Sequence, residues 1–319
     1  MECPFCTASL PDDDFFCEAC GKPLAQPVPS APAESGCTCG ASPEEIDEEG
    51  YCGRCGRLAR RPASDHVELV ISDAFAGVSD RGIKHQRNED RFAMRQANSG
   101  YVLVVCDGVS SSTQSEQASS LVAESVAKSL EASLRRHSAS SPERTVRTAI
   151  YEAQSKLAAE AFDSSDPPST TVVAALVKEL DVTIGWAGDS RAYWFGADGA
   201  PQQLTSDHSW LNEVVASGAM PAEEAAKAPQ AHGITRWLGS DAGENAQSDV
   251  VQFSIPGPGY LLLCTDGLWN YTMDPAALWA EMLGASAIEI TRHLIEFAIE
   301  QGGHDNITAA LLKVGVTVQ

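Results

Sequence analysis

A chain of 319 residues with a 43% hydrophobic content can bury one large core and carry a small appendage, since single cores stop growing beyond about 250–300 residues. Its 44 acidic against 22 basic side chains give a net charge of −22, which repels nucleic-acid phosphates and anionic lipid, so no nucleic-acid partner is expected. No apolar run is long enough to span a bilayer, and the start Met1-Glu2-Cys3-Pro4-Phe5-Cys6 has neither a basic segment nor an apolar stretch; the expectation is a cytoplasmic protein without membrane contact.

Eight of the ten cysteines precede residue 56. Cys3-x2-Cys6 and Cys17-x2-Cys20 form two close pairs, the spacing with which two turns present four thiolates to one zinc ion. Cys37-x-Cys39 and Cys52-x2-Cys55 form a second set, with Gly40, Gly53 and Gly56 supplying backbone freedom for tight turns. Between the sets, residues 26–35 read Gln-Pro-Val-Pro-Ser-Ala-Pro-Ala-Glu-Ser, an extended linker. Units this small fold only with a metal, and four thiolates leave no open position for water, so the two zinc ions are expected to be structural. The segment resembles tandem zinc ribbons, which implies docking of a partner. Arg54, Arg57, Arg60 and Arg61 are preceded by Glu44, Glu45, Asp47, Glu48 and Glu49, so a solvated surface is the reading of that charge.

Beyond a second linker at 61–66, apolar runs of strand length stand at Tyr101 to Cys106, Thr171 to Val177, Val182 to Ala187, Tyr260 to Cys264 and Ile307 to Val314. They are too continuous for half-exposed strands and need covering layers. Helical periodicity supplies these in three places. Ala118, Leu121, Val122, Val126, Leu130 and Leu134 follow Glu116; a second set runs through Val146, Ile150, Ala153, Leu157 and Ala161; the third lies at Ser286 to Ile299. Clustered strands with helices between them predict a layered α+β fold.

Two strand ends share one pattern: Val102-Leu103-Val104-Val105-Cys106-Asp107-Gly108 and Leu261-Leu262-Leu263-Cys264-Thr265-Asp266-Gly267. Each places an aspartate where a buried strand emerges, followed by a glycine whose carbonyl is open to a cation. Asn88-Glu89-Asp90 and His304-Asp305-Asn306 add further carboxylates. Oxygen-only ligands suit hard Mg²⁺ or Mn²⁺. A turn or helix cap is the bland alternative for any one of these aspartates.

From about Ala76 to Val314 the chain resembles the metal-dependent Ser/Thr phosphatases of the protein phosphatase 2C type. The matching stretches are Arg87-Asn88-Glu89-Asp90, Val105-Cys106-Asp107-Gly108, Ser169-Thr170-Thr171, Ala187-Gly188-Asp189-Ser190-Arg191, Leu204-Thr205-Ser206-Asp207-His208-Ser209, Ile234-Thr235-Arg236-Trp237-Leu238-Gly239, Cys264-Thr265-Asp266-Gly267-Leu268 and Gly303-His304-Asp305-Asn306-Ile307-Thr308. The resemblance implies a four-layer αββα sandwich catalytic domain over 67–319, with a flap at about 208–231, preceded by two small zinc-ribbon modules at 1–25 and 36–60. It further implies that Asp107 bridges two Mg²⁺ or Mn²⁺ ions, with Asp266 and Asp305 completing one, Glu89 and the Gly108 carbonyl serving the other, and Asp90 acting close by. Asp166 matches the aspartate that holds a third, weaker ion in bacterial relatives. Cys106 and Cys264, outside any Cys-x5-Arg loop, read as core residues and not as nucleophiles.

Two positions depart from the family pattern. His85 stands where an arginine usually holds the substrate phosphate, with Lys84 or Arg87 as the compensating cation; histidine lacks the bidentate fork. Ser110-Ser111-Ser112 replaces a Gly-Gly-His run that often supplies a general acid, a role His85 could take over. The implied partners are phosphorylated proteins, either a Ser/Thr kinase or its substrates, and an unidentified protein bound by the ribbons. The alternative reading is a weakly active scaffold, or pseudophosphatase.

Overall fold

The computed structural model describes residues 39–46, 52–55, 63–98, 100–136, 140–160, 162, 166–197, 199–231 and 233–315. Cys3, Cys6, Cys17, Cys20 and Cys37 lie outside them. The chain divides into two compact units, the smaller ending at Ala63 and taking in Val67–Leu69, the larger comprising Ser64–His66 and everything from Val70 onward.

In chain order the strands are β1 His66–Ser72, β2 Phe75–Asp80, β3 Arg91–Ala97, β4 Gly100–Cys106, β5 Ser169–Thr170, β6 Val172–Lys178, β7 Asp181–Ala187, β8 Arg191–Gly196, β9 Gln202–Gln203, β10 Leu238–Gly239, β11 Asp249–Ser254, β12 Gly259–Cys264 and β13 Ile307–Val314. The helices are α1 Ser115–Arg135, α2 Pro142–Ala159, α3 Trp210–Ala216, α4 Ala222–Ala225, α5 Asp266–Trp269, α6 Pro275–Ala280 and α7 Ala287–Glu300. One sheet runs β1-β2-β13-β12-β8-β9, a second β11-β7-β6-β4-β3, and β5 pairs with β10. The α+β class follows.

Each of the five apolar runs read from sequence forms a strand, to within one residue at its start. In β4 the period-two rule sends Val102, Val104 and Cys106 into one cluster with Ala118, Val122, Val126 and Leu130 of α1, and with Val146, Ile150 and Leu157 of α2. Its other face reaches the six-stranded sheet, where Tyr101 meets Phe75 of β2 edge-on with ring centroids 5.3 Å apart. Helix α7 drives Ile290, Leu294 and Ala298 against Ala76, Val78, Leu262, Ala309 and Leu311. A capping box formed by Ser286 and Glu289 starts that helix, and Ser141 with Pro142 starts α2.

Register puts the acidic residues at one end of both sheets. Arg91 pairs with Cys106, so Asp90 and Asp107 leave neighbouring strands side by side. Val172 pairs with Ala187, which delivers Asp189 at the same end. Cys264 pairs with both Ala309 and Arg191, bringing Asp266, Asp305 and Asp189 out together.

Leu130 is fully buried between α1 and its sheet. Leu130→Ala should lower the unfolding free energy of the larger unit by about 2–5 kcal/mol, read from urea titration followed by circular dichroism; a loss under ~0.5 kcal/mol would contradict this packing.

Candidate metal centre

Asp90 shows how the site is built. Its Oδ2 accepts 2.8 Å hydrogen bonds from the hydroxyls of Thr265 and Thr308, while its Oδ1 is buried and has no hydrogen-bond partner among the described residues. Burial above all, with Asp305 and Asp266 adding repulsion, pushes its pKa up to about 8. Asp107 is likewise pushed well up by burial and by Asp90, Asp266, Asp189 and Asp305. Asp266 rises to about 6 through burial and Asp305, against hydrogen bonds that favour its charge. A buried, unpartnered acceptor among mutually repelling carboxyls with oxygen-only ligands is the environment of a hard divalent cation, so the residues present fit Mg²⁺ or Mn²⁺.

Neutral groups fix the backbone around them. The Thr171 N–H donates to the Asp107 carbonyl at 2.8 Å and the Thr171 hydroxyl oxygen accepts from the Asp107 N–H at 3.1 Å. The Thr170 hydroxyl donates to the same carbonyl. Gly108 is required by contact: a Cβ there would lie 2.7 Å from the Glu89 carbonyl oxygen. Gly82 turns with φ +72° directly against the Asp305 carbonyl, a conformation that favours glycine. Asn306 accepts from the Glu89 N–H at 2.8 Å and donates to the carbonyls of Arg81 and Arg87.

Glu89 lies beside the aspartates, its Oε1 and Oε2 each 2.7 Å from a serine hydroxyl, Ser115 and Ser110 respectively. His85 bridges towards two of the expected ligands, with Nε2 3.2 Å from Asp305 and Nδ1 3.8 Å from Glu89. Arg87, in contrast, is largely exposed and pairs with Glu116 at 3.4 Å. Asp166 is latched to Thr113, whose N–H and hydroxyl donate to its Oδ2 and carbonyl. Ser112 bonds the Val109 carbonyl and accepts from the Ser169 N–H. Cys106 and Cys264 are fully buried thiols with pKa pushed up by burial, as core residues should be.

The matched family segment covers residues 81–293 and is described as protein phosphatase 2C. The chain belongs to the protein phosphatase 2C family. This phosphatase 2C domain is 29% identical over 240 residues to the serine/threonine phosphatase stp of Listeria innocua, across 74% of this chain and 93% of that protein. Its fold is similar to serine/threonine phosphatase Stp1 from Staphylococcus aureus, with a TM-score of 0.65 and 29% identity over 78% of this chain and 98% of that one. It is similar too to the catalytic domain of the phosphatase PstP solved in complex with two manganese ions, with a TM-score of 0.61 and 25% identity over 76% of this chain and 97% of that one.

Several contributors had gone unassigned in the sequence reading. Asp189 is half-buried, and desolvation with Asp266 and Asp207 pushes its pKa well up, offset partly by Arg191. It stands after Gly188 at the end of β7, so the strand-end pattern seen at Asp107 could have found it. Thr265, Thr308, Ser110 and Ser115 carried no such signal, because a hydroxyl's partner is visible only once distant strands meet.

The raised carboxyl pKa values have a consequence for stability. Without a divalent ion, folded Asp90 and Asp266 keep protons that the unfolded chain, with the ordinary aspartate pKa of 3.8, has released. The folded state therefore binds more protons between about pH 4 and pH 8, and stability falls as pH rises through that window. Melting temperature in chelator should drop from pH 5 to pH 8.5, and Mn²⁺ should remove most of the drop; a chelated protein equally stable across the range would contradict the assignment.

Proposed function

We propose that the larger unit, with its four-layer αββα arrangement, hydrolyses phosphoserine and phosphothreonine on proteins in a Mg²⁺- or Mn²⁺-dependent reaction, opposing Ser/Thr kinase signalling in the cytoplasm. The observation that carries this reading is the convergence of Asp90, buried, with Asp107, Asp189 and Asp266, half-buried, at the shared ends of two sheets, where desolvation and then one another's charge drive their pKa values up. Asp107, Asp266 and Asp305 would hold one ion; Asp107, Glu89 and the Gly108 carbonyl the other, with Asp90 close by and Asp166 a candidate for a third. Bound there, divalent ions supply an activated water and stabilise charge on the phosphoryl oxygens.

The chain's own groups do the rest. Thr265 and Thr308 hold Asp90 through neutral hydroxyls, so a cation would be what draws out its charge. His85, about a quarter exposed, can present an N–H to a substrate phosphate or its leaving oxygen while Asp305 orients the ring. With thiols buried and protonated, no cysteine phosphoenzyme forms. Phosphate release from a phosphothreonine peptide should require Mn²⁺ or Mg²⁺, and Asp107→Asn should cut kcat by about 10³-fold, the loss of several kcal/mol of charge stabilisation. Turnover unchanged in Asp107→Asn would defeat the reading.

In the smaller unit, Cys39, Cys52 and Cys55 have sulfurs within 4.8 Å of one another, with Cys39 and Cys52 3.6 Å apart. This supports a structural thiolate zinc site completed by Cys37, with Cys3, Cys6, Cys17 and Cys20 forming another, the pair serving to dock a protein partner. Purified protein should contain two equivalents of zinc by elemental analysis, falling to one in Cys52→Ser/Cys55→Ser; a zinc-free preparation overturns the assignment.

A further inference from the structure

Glu89, the proposed ligand of the second ion, is held at every polar group by the chain itself. Both of its carboxylate oxygens are claimed by hydroxyls of the chain, Oε2 by Ser110 and Oε1 by Ser115, each at 2.7 Å. Its carbonyl accepts from Ser119 at 2.5 Å and its N–H donates to Asn306 at 2.8 Å. Every polar group of the residue thus has a partner, and the three serines all come from the turn after Asp107 and the first turns of α1. A carboxylate has about four acceptor positions, so one hydroxyl on each oxygen fixes the rotamer and leaves a lone pair on each oxygen free.

The two hydroxyls are not interchangeable with general packing. Ser115, fully buried, holds the carboxylate and Ser119, also buried, holds the Glu89 backbone carbonyl, while Ser110 sits on an exposed turn. Ser110 also shares Oε2 with His85, whose Nδ1 lies at 3.8 Å. Removing the Ser110 hydroxyl would leave that oxygen free to swing to the imidazole, out of the position set by α1. Gly108, whose missing Cβ admits the Glu89 backbone, lies two residues before Ser110, so one short turn supplies both the expected carbonyl ligand and the clamp on the expected carboxylate ligand.

We propose that Ser110 and Ser115 are positioning residues that clamp Glu89 for the second divalent ion, so that the serine turn after Asp107 sets the affinity of that ion. The inference rests on the two-ion reading above. Ligating carboxylates are commonly oriented by hydrogen-bonding partners whose loss weakens metal binding by about 10–100-fold, and a clamp of neutral hydroxyls orients Glu89 without reducing its charge.

The test is Mn²⁺ binding to the full-length protein after chelation of weakly bound metal, followed by calorimetry and by electron paramagnetic resonance of spin-coupled manganese pairs. Wild type should bind two ions. Ser110→Ala and Ser115→Ala should each weaken the second ion by about 10–100-fold and deplete the coupled-pair signal, leaving the first ion unchanged. Ser110→Thr, which retains the hydroxyl, should restore both. Because Ser110 lies on an exposed turn, its substitutions should leave the metal-free melting temperature within a degree of wild type, which separates positioning from a folding defect. Two ions in wild type with unchanged affinities in both alanine variants would overturn the clamp alone. A wild-type protein that binds no manganese pair would overturn the clamp together with the two-ion reading.

Discussion

Carboxyl groups that are buried together resist ionising together, and the acidic end of the two sheets is organised around that conflict. Two like charges a few ångströms apart at an effective dielectric near 20 repel by roughly 4 kcal/mol, and here four aspartates are pushed upward by burial and by one another. The conflict is imposed by strand register. Cys106 opposite Arg91 and Cys264 opposite both Arg191 and Ala309 leave the following or preceding acidic residues no route away from one another. A divalent cation held there would resolve the repulsion.

The choice of neighbours sustains the same logic. Arg191, the guanidinium at this end of β8, is engaged bidentately by Asp207 at 2.8 and 2.6 Å and stacks 3.5 Å over Trp269. It is spent on packing. Trp269 in turn donates to the Asp189 carbonyl, so the cation steadies the backbone beside the cluster while only partly offsetting Asp189. The groups that touch Asp90 are threonines, which satisfy one oxygen and leave the charge in place. A buried lysine or arginine at either threonine would complete an ion pair and remove the reason for a metal to bind.

Much of this was legible in the sequence, for identifiable reasons. The buried strands β4, β6, β7, β12 and β13 announce themselves by continuous apolar runs, and α1, α2 and α7 by their spacing. Strands β2, β3, β8 and β11 were passed over because their signals are mixed. Arg91 and Arg95 interrupt β3, Asp249 and Gln252 interrupt β11, and Gly77 weakens β2, where a Cβ would strike Phe92 and Met94. The aspartates were found because a strand-end Asp-Gly is a local pattern. Their hydroxyl partners were not, since Thr308 lies 218 residues from Asp90 and only the sheet register joins them. Arg87 was offered as a phosphate cation on sequence proximity alone, and the structure turns it to Glu116.

The serine turn changes how the reaction can be run. Ser112 is committed to the Val109 carbonyl and the Ser169 N–H, so it ties the Asp107 turn to β5; Ser110 is committed to Glu89. Neither is placed to protonate a departing alkoxide, and a serine hydroxyl is too weak an acid for that task. On the other side of the carboxylates stands His85, partly exposed and in contact with Asp305. On the proposed reading one imidazole would both meet the phosphate and deliver the proton, and a hydrogen bond given to one oxygen is unavailable to the other. A substrate whose leaving group needs no proton escapes that competition, so the advantage of aryl phosphates over alkyl phosphates should be larger here than in a site that divides the two tasks between separate side chains.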